Sequence, residues 1–484
     1  MPKDMASAAP ETQKLDVDFC VIGAGAGGIA VATTAAAFGQ RVVLIEKHRM
    51  GGDDLNYGSV PVNALLAAAK RAQDVRTAPA FGIGSGNPEI DHAAVNLYLT
   101  NVIARIAPNS TPERFGGMGI RVISAAAKFL NSTTVAAGEY RISARRFVIA
   151  TGSSPIIPPI PGLADTPYFT NETIFDNNAL IPHLIVIGAG ATGIELAQAH
   201  RRLGSRVTVL DSAHALTGED PEMAPVLLNE LAAEGIVFRE GIRIKRVSGT
   251  IGKIVVEIES NGQTETIEGT GVLVAAGRKA NIGDLGLDSA GVKVAEGAVK
   301  VNAGLRTTNK RVYAIGDATG GPRYAHLAGE QADVVLRRSL FGQPAKSIGS
   351  AAPRVVFTEP ALASVGLSED EARTKHGHVH VLRWPYHENV RAQIERKTQG
   401  HVKVITTKRG RILGASIVGA DAGELIQMWT LAISQRLNIK AMTQWISPHP
   451  TLSEINKGAA IRYFATFPSN PFLRKVIALV AKLG

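Results

Sequence analysis

Two glycine-rich runs stand at one and the same distance from an acidic residue. Gly23-Ala24-Gly25-Ala26-Gly27-Gly28 precedes Glu46, and Gly188-Ala189-Gly190-Ala191-Thr192-Gly193 precedes Asp211; from first glycine to acid the interval is 23 positions in both. These residue types suit the binding of a pyrophosphate and a ribose. The first glycine of each G-x-G-x-x-G run (Gly23, Gly188) permits a tight turn. The second (Gly25, Gly190) lets backbone approach the pyrophosphate, and the third (Gly28, Gly193) lets a helix pack closely on a strand. The helix start points its free amides at the anion, and the acid accepts hydrogen bonds from the adenosine ribose.

The elements needed to position those groups are readable on either side. Val17–Phe19 and Cys20–Ile22 form an apolar run before the first turn, an Ala-rich helical stretch follows it, and Val42–Ile45 leads to Glu46. Leu184–Ile187 and Val207–Leu210 bracket the second turn in the same way. A lone glycine motif is weak evidence, but here the strand, turn, helix and acid recur without a gap. Two sites imply two dinucleotides, or one dinucleotide and a flavin. Asp211 would pair with a free 2′-hydroxyl and repel a 2′-phosphate, and Ser212, Ala213 and His214 follow it rather than an Arg, which favours NADH over NADPH.

The 484 residues correspond to about three domains, and a hydrophobic fraction of 45% is ample for a core. No uninterrupted apolar run approaches the roughly 18 residues of a membrane span. Lys and Arg number 52 against 42 Asp and Glu, a net charge of +10. That charge is scattered, which argues against nucleic acid as a partner. Cys20 is the single cysteine, so no internal disulfide, thiol pair or multi-cysteine metal site can form. Met1 to Asp18 lacks the apolar centre of a secretory signal, and the expected compartment is the cytoplasm.

Further motifs follow in order: Ala150-Thr151-Gly152-Ser153, Ala275-Ala276-Gly277-Arg278, Ala314-Ile315-Gly316-Asp317-Ala318, Phe357-Thr358-Glu359-Pro360 with Ala363-Ser364-Val365-Gly366, and His449-Pro450-Thr451-Leu452-Ser453-Glu454. Together with the two glycine motifs they resemble the pyridine nucleotide–disulfide oxidoreductases, especially the dihydrolipoamide dehydrogenase and mercuric-reductase-like branch. The resemblance spans roughly Asp16 to Ala465. It implies an α/β fold with two Rossmann-like dinucleotide-binding domains, for FAD and NAD, plus a C-terminal α+β dimerisation domain. The FAD domain would comprise 1–159 and 281–349, the NAD domain 160–280, the interface domain 350–467, and an amphipathic tail 468–484. It assigns FAD contacts to Gly23, Gly25, Gly28, Glu46, Gly52, Asn63, Thr151, Gly152, Ser153, Asp317 and Ala325. NAD contacts fall to Gly188, Gly190, Gly193, Glu195, Asp211 and Gly277. A homodimer follows, because the family's His-Glu dyad, here His449 and Glu454, serves the redox centre of the other subunit.

The departure lies where the family carries G-G-x-C-x-N-x-G-C-x-P-x-K. This chain reads Gly51-Gly52-Asp53-Asp54-Leu55-Asn56-Tyr57-Gly58-Ser59-Val60-Pro61-Val62-Asn63. The glycines, Asn56 and Pro61 remain, but Asp54 and Ser59 occupy the cysteine positions and Asn63 the lysine. Neither Asp nor Ser can take a hydride equivalent from reduced flavin, so the thiol routes of disulfide and mercuric reduction are not expected. The flavin itself could still receive hydride from NADH. The expected function is an FAD-dependent NAD(P)H oxidoreductase that passes electrons directly to a small non-disulfide acceptor such as a quinone. His449 would supply protons, and Asp54, if desolvated against the flavin, would favour its neutral form. Two other readings stay open: a transhydrogenase-like or dihydrolipoamide-dehydrogenase-like protein, and a non-catalytic flavin- or NAD-binding regulator.

The remaining signals are local. Phe472, Leu473, Val476, Ile477, Leu479, Val480 and Leu483 fall within an arc of roughly 160° on a helical wheel, with Arg474, Lys475 and Lys482 outside it. Such a helix either lies on an anionic membrane surface, making the protein peripheral there, or packs on the chain or its dimer mate. His376, His378 and His380 alternate; on a strand they would share one side, as a metal site or as a solvated edge. Arg391, Glu395, Arg396 and Lys397 read as a solvated turn.

Overall fold

The computed structural model describes residues 12–84, 86–465 and 467–482. Among these residues the first sheet is built on Gln13–Ile22, whose inner end is buried on both faces. It pairs in parallel with Val42–Glu46 and Tyr140–Ile149, and these with Ile120–Ser124 and Val312–Ala314. Strands covered on both faces read as continuous apolar runs, as Phe19–Ile22 and Val42–Ile45 do. Alternate side chains go to opposite layers: Phe19 and Val21 pack with Val31 and Val335, while Cys20 and Ile22 pack with Phe129 and Phe147. An antiparallel pair, Ala127–Asn131 and Thr134–Ala137, extends the sheet beyond Tyr140–Ile149.

A second parallel sheet orders Ile236–Arg239, Arg206–Leu210, His183–Ile187 and Gly271–Val274. The antiparallel strands Arg243–Thr250, Lys253–Ser260 and Gln263–Gly269 lie beside it. Between the two parallel sheets, Ser153–Pro155 pairs antiparallel with Arg278–Ala280. The chain thus leaves the first sheet and returns to it through one two-stranded ribbon.

The third sheet is antiparallel and orders Arg354–Val356, Ala361–Gly366, Ile412–Gly419, His401–Thr407 and Val379–Pro385. The helix Ala422–Ser434 covers it and buries Trp429, whose indole donates to Asn456 Oδ1 at 2.8 Å. The structure corrects two local expectations here. His376 ends the helix Glu369–His376, with Gly377 behind it, so the three histidines do not share a strand. Only His378 and His380 meet, edge to face at 5.5 Å. Lys397 is no solvated turn residue either: its ammonium pairs with Glu359 at 3.0 Å, whereas Arg391 and Glu395 pair along one short helix.

Candidate active site

Both glycine turns fold alike, and local sterics explain why. Gly23 and Gly188 adopt φ of +105° and +109°, where a side chain is strained. A Cβ on Gly28 would lie 1.9 Å from the Gly23 carbonyl oxygen, and one on Gly193 would lie 2.1 Å from that of Gly188. Gly25 and Gly190 differ. A Cβ on Gly190 would meet nothing within 4 Å, and one on Gly25 only the Gly52 Cα at 4.0 Å. Each open glycine is the N-cap of a helix, Ala26–Ala37 or Ala191–Arg202, and neither helix has a side-chain cap. Free amides therefore face open space, which is the arrangement that receives a pyrophosphate.

The acids are held alike as well. Glu46 accepts from the amides of Ala24 and His48 at 2.7 and 2.9 Å. Asp211 accepts from those of Ala189 and Ala213, again at 2.7 and 2.9 Å. Each carboxylate clamps its own glycine turn and is set at the end of the second strand.

The short helix Gly52–Asn56 carries the first turn's neighbour: a Cβ on Gly52 would lie 2.7 Å from the Gly25 Cα. Asn56 fixes this helix by donating to the carbonyls of Met50 and Gly52. Asp54 is half-buried on it, while Ser59 is exposed at the start of the helix Ser59–Thr77. Asn63 donates back to the Ser59 carbonyl at 2.9 Å. The acid with the organised surroundings is Asp53, which the sequence reading passed over. Arg278 donates to Asp53 Oδ1 at 2.9 Å, to Ser153 Oγ and the Ser153 carbonyl at 2.8 Å, and to Asn171 Oδ1 at 3.3 Å. Burial raises the proton affinity of Asp53, Arg278 opposes it, and Asp317 and Asp54 reinforce it; the net direction is upward.

Ser153 also donates to Asp317, at the start of the turn Gly316–Thr319. Gly152, at φ +68°, accepts from the Asn281 amide at 3.0 Å. Thr151 Oγ1 is buried with no hydrogen-bond partner among the described residues, and such an atom calls for a bound group. Ala325 opens the helix Ala325–Ser339, which has no side-chain cap. Gly277 accepts from the Ile156 amide at 2.9 Å.

Glu195 is buried on the helix Ala191–Arg202 and accepts from the Phe357 amide at 2.8 Å, bridging to the third sheet's segment. Burial pushes its carboxyl up to about 7, with that amide opposing. His449 and Glu454 meet through Nδ1 at 3.1 and 3.2 Å. Burial pushes Glu454 up, but the Thr451 amide and His449 outweigh it and hold the carboxyl below its usual range. The imidazole is 63% exposed within one chain.

Residues 17–332 match the family described as pyridine nucleotide-disulphide oxidoreductase, and residues 352–460 match its dimerisation domain. The chain belongs to the pyridine nucleotide-disulphide oxidoreductase family. A mercuric reductase of Lysinibacillus sphaericus is 32% identical over 92% of this chain and 82% of that enzyme. A dihydrolipoyl dehydrogenase of Geobacillus stearothermophilus is 32% identical over 92% and 96% of the two chains. Among solved structures, LpdA from Mycobacterium tuberculosis superposes with a TM-score of 0.84 at 27% identity, covering 92% of this chain and 99% of that one. The HOCl-induced flavoprotein disulfide reductase RclA from Escherichia coli gives 0.80 at 26%, with the same coverage.

Family membership makes the protein a flavin-dependent pyridine nucleotide oxidoreductase that uses FAD and NAD(P)H, and the dimerisation domain supports a homodimer. The residues fit both groups: two uncapped helix starts face open glycines, and the buried Thr151 hydroxyl lies beside the first turn, where a Cβ on Gly23 would come within 3.1 Å of the Thr151 backbone nitrogen.

Proposed function

We propose that this family member oxidises NADH through FAD and delivers the electrons directly to a small non-disulfide acceptor, foremost a quinone. The observation that carries this reading is the absence of a usable thiol. Cys20 is the chain's one cysteine, fully buried in the first strand, where burial holds its thiol proton far above the ordinary range. Asp54 and Ser59 stand where the family's relay would be, and neither is a two-electron acceptor. FAD, when bound, supplies the hydride and electron chemistry.

The chain's own residues supply orientation and protons. Gly25 and Gly190 with their helix starts hold the two pyrophosphates, and Glu46 and Asp211 receive the riboses. Asp211 supports NADH over NADPH, because no arginine follows it to receive a 2′-phosphate. His449 donates from Nδ1 to Glu454, which leaves Nε2 to carry a proton to the reduced acceptor across the dimer interface. Asp317 and Ser153, the latter tied to Arg278, would hold the flavin's chain when FAD is bound.

The test is steady-state NADH oxidation with a panel of quinones, lipoamide, an oxidised nicotinamide analogue and oxygen. The reading expects quinone turnover and none with lipoamide. His449→Ala should lower quinone turnover by roughly a hundredfold while leaving NADH reduction of the flavin intact. Lipoamide turnover would overturn the reading. Turnover with the analogue alone would favour transhydrogenation, and no flavin reduction at all a regulator.

A further inference from the structure

We propose that the C-terminal helix Pro471–Val480 is a docking element for an anionic lipid surface, used by the dimer to sit on a membrane without crossing it. This surface assignment goes beyond the acceptor reading and does not depend on it.

The helix has ten residues, and none is buried. Phe472 is 72% exposed, Ile477 64%, Leu479 62% and Val480 61%, with Val476 beside them. These side chains share one face, while Arg474, Lys475 and Lys482 share the opposite one. A helix this short is marginal in water on its own, and a contiguous exposed apolar face marks an interaction surface. Its length cannot span a bilayer, and among the described residues no helix is long and apolar enough to do so.

Charge decides between the candidate occupants. From Leu425 to Gly484 the chain carries seven Lys and Arg residues but one acid, Glu454, which is engaged by His449. That gives the segment a net charge of +6, a local excess with no run of adjacent cations beyond Arg474-Lys475, in a chain whose charges are otherwise scattered. The root of the helix adds to this field. Tyr463 donates to the Lys408 carbonyl at 2.7 Å, at the turn Lys408-Arg409-Gly410-Arg411. From Tyr463 an aromatic row runs through Phe464 to Phe467, each step 5.2 Å between ring centres. Apolar and aromatic groups with cations around them suit the boundary between headgroups and acyl chains. A second copy of the segment brings no acid to pair with these cations, whereas an anionic lipid surface does.

The test is co-sedimentation of the full-length FAD-loaded protein with vesicles of phosphatidylglycerol and phosphatidylcholine, against vesicles of phosphatidylcholine alone. Binding is expected only to the anionic vesicles and should be released by raised salt. Ile477→Glu, and separately the pair Lys475→Glu with Lys482→Glu, should each lower the bound fraction about tenfold. NADH oxidation with a water-soluble quinone and the dimer mass by light scattering should stay unchanged. Failure of the unaltered protein to bind anionic vesicles overturns the proposal. Dissociation of the dimer by Ile477→Glu also overturns it, since the face would then belong to a second copy. Vesicle binding without any quinone turnover would defeat the acceptor reading and leave this one standing.

Discussion

Arg278 donates to Asp53 at 2.9 Å across 225 positions of sequence. The contact joins the short helix beside the first glycine turn to the strand that brings the chain back from the second sheet. Arg278 also holds Ser153, which in turn holds Asp317, so one guanidinium ties together the short helix, the two-stranded ribbon and the turn Gly316–Thr319. Arg278→Ala should release bound FAD and lower unfolding stability by about 2–3 kcal/mol, since several charge-assisted bonds vanish together. Asp53→Asn keeps an acceptor oxygen and should cost under about 1 kcal/mol. Flavin fluorescence after gel filtration measures the release of FAD, and denaturant unfolding followed by tryptophan fluorescence measures the stability of both variants.

The glycine turns separate ligand binding from folding. Gly190→Ala introduces a methyl into space that the fold leaves open. It should raise the NADH KM about tenfold with the thermal midpoint nearly unmoved. Gly193→Ala drives its methyl to 2.1 Å from the Gly188 carbonyl and should lower the midpoint whether or not NADH is present. Equal loss of stability in both variants would contradict the assignment of Gly190 to the pyrophosphate cradle.

Glu195 predicts a pH signature. Its folded carboxyl titrates at about 7, up from 4.5 by burial. The unfolded chain releases that proton first, so the favourable contribution is complete below about pH 4.5 and lost as pH rises through 7. Glu195→Gln retains an acceptor for the Phe357 amide and needs no ionisation. In FAD-loaded, NADH-free protein, its stability relative to the unaltered chain should improve from pH 5 to pH 8 by on the order of 3 kcal/mol.

Glu359 predicts the opposite sign. Burial pushes its carboxyl up, but Lys397, Arg202 and Lys70 outweigh this and bring it down to about 2. The stabilisation is present above pH 4.5 and fades as pH falls toward 2. Glu359→Gln leaves those cations without their shared partner and should cost about 2 kcal/mol at pH 7, allowing for partial exposure. The gap between variant and unaltered protein should close on acidification, as read by unfolding at several pH values.

What was readable in the chain was what is local. The glycine turns, the acids behind them and the apolar strands obey short-range sterics and period-two patterning, so Gly23 to Glu46 and Gly188 to Asp211 were legible by residue. The Glu369–His376 helix displaces the expected histidine strand: Ser368 and Glu371 form a capping box and Gly377 follows the last turn. Asp53 with Arg278, Glu195 with Phe357, and Glu359 with Lys70 and Lys397 join residues far apart in sequence. Such pairings leave no periodic trace, so neither the tie of Asp53 to Arg278 nor that of Lys397 to Glu359 can be read from spacing along the chain.

The central claim, that electrons leave the flavin with no sulfur relay, is tested most directly by anaerobic titration of the FAD-loaded dimer with NADH. One equivalent of NADH per flavin should bleach the yellow absorbance completely, with no further uptake. Uptake of a second equivalent, or a stable two-electron state in which the flavin remains oxidised, would reveal another electron acceptor in the protein and contradict the account.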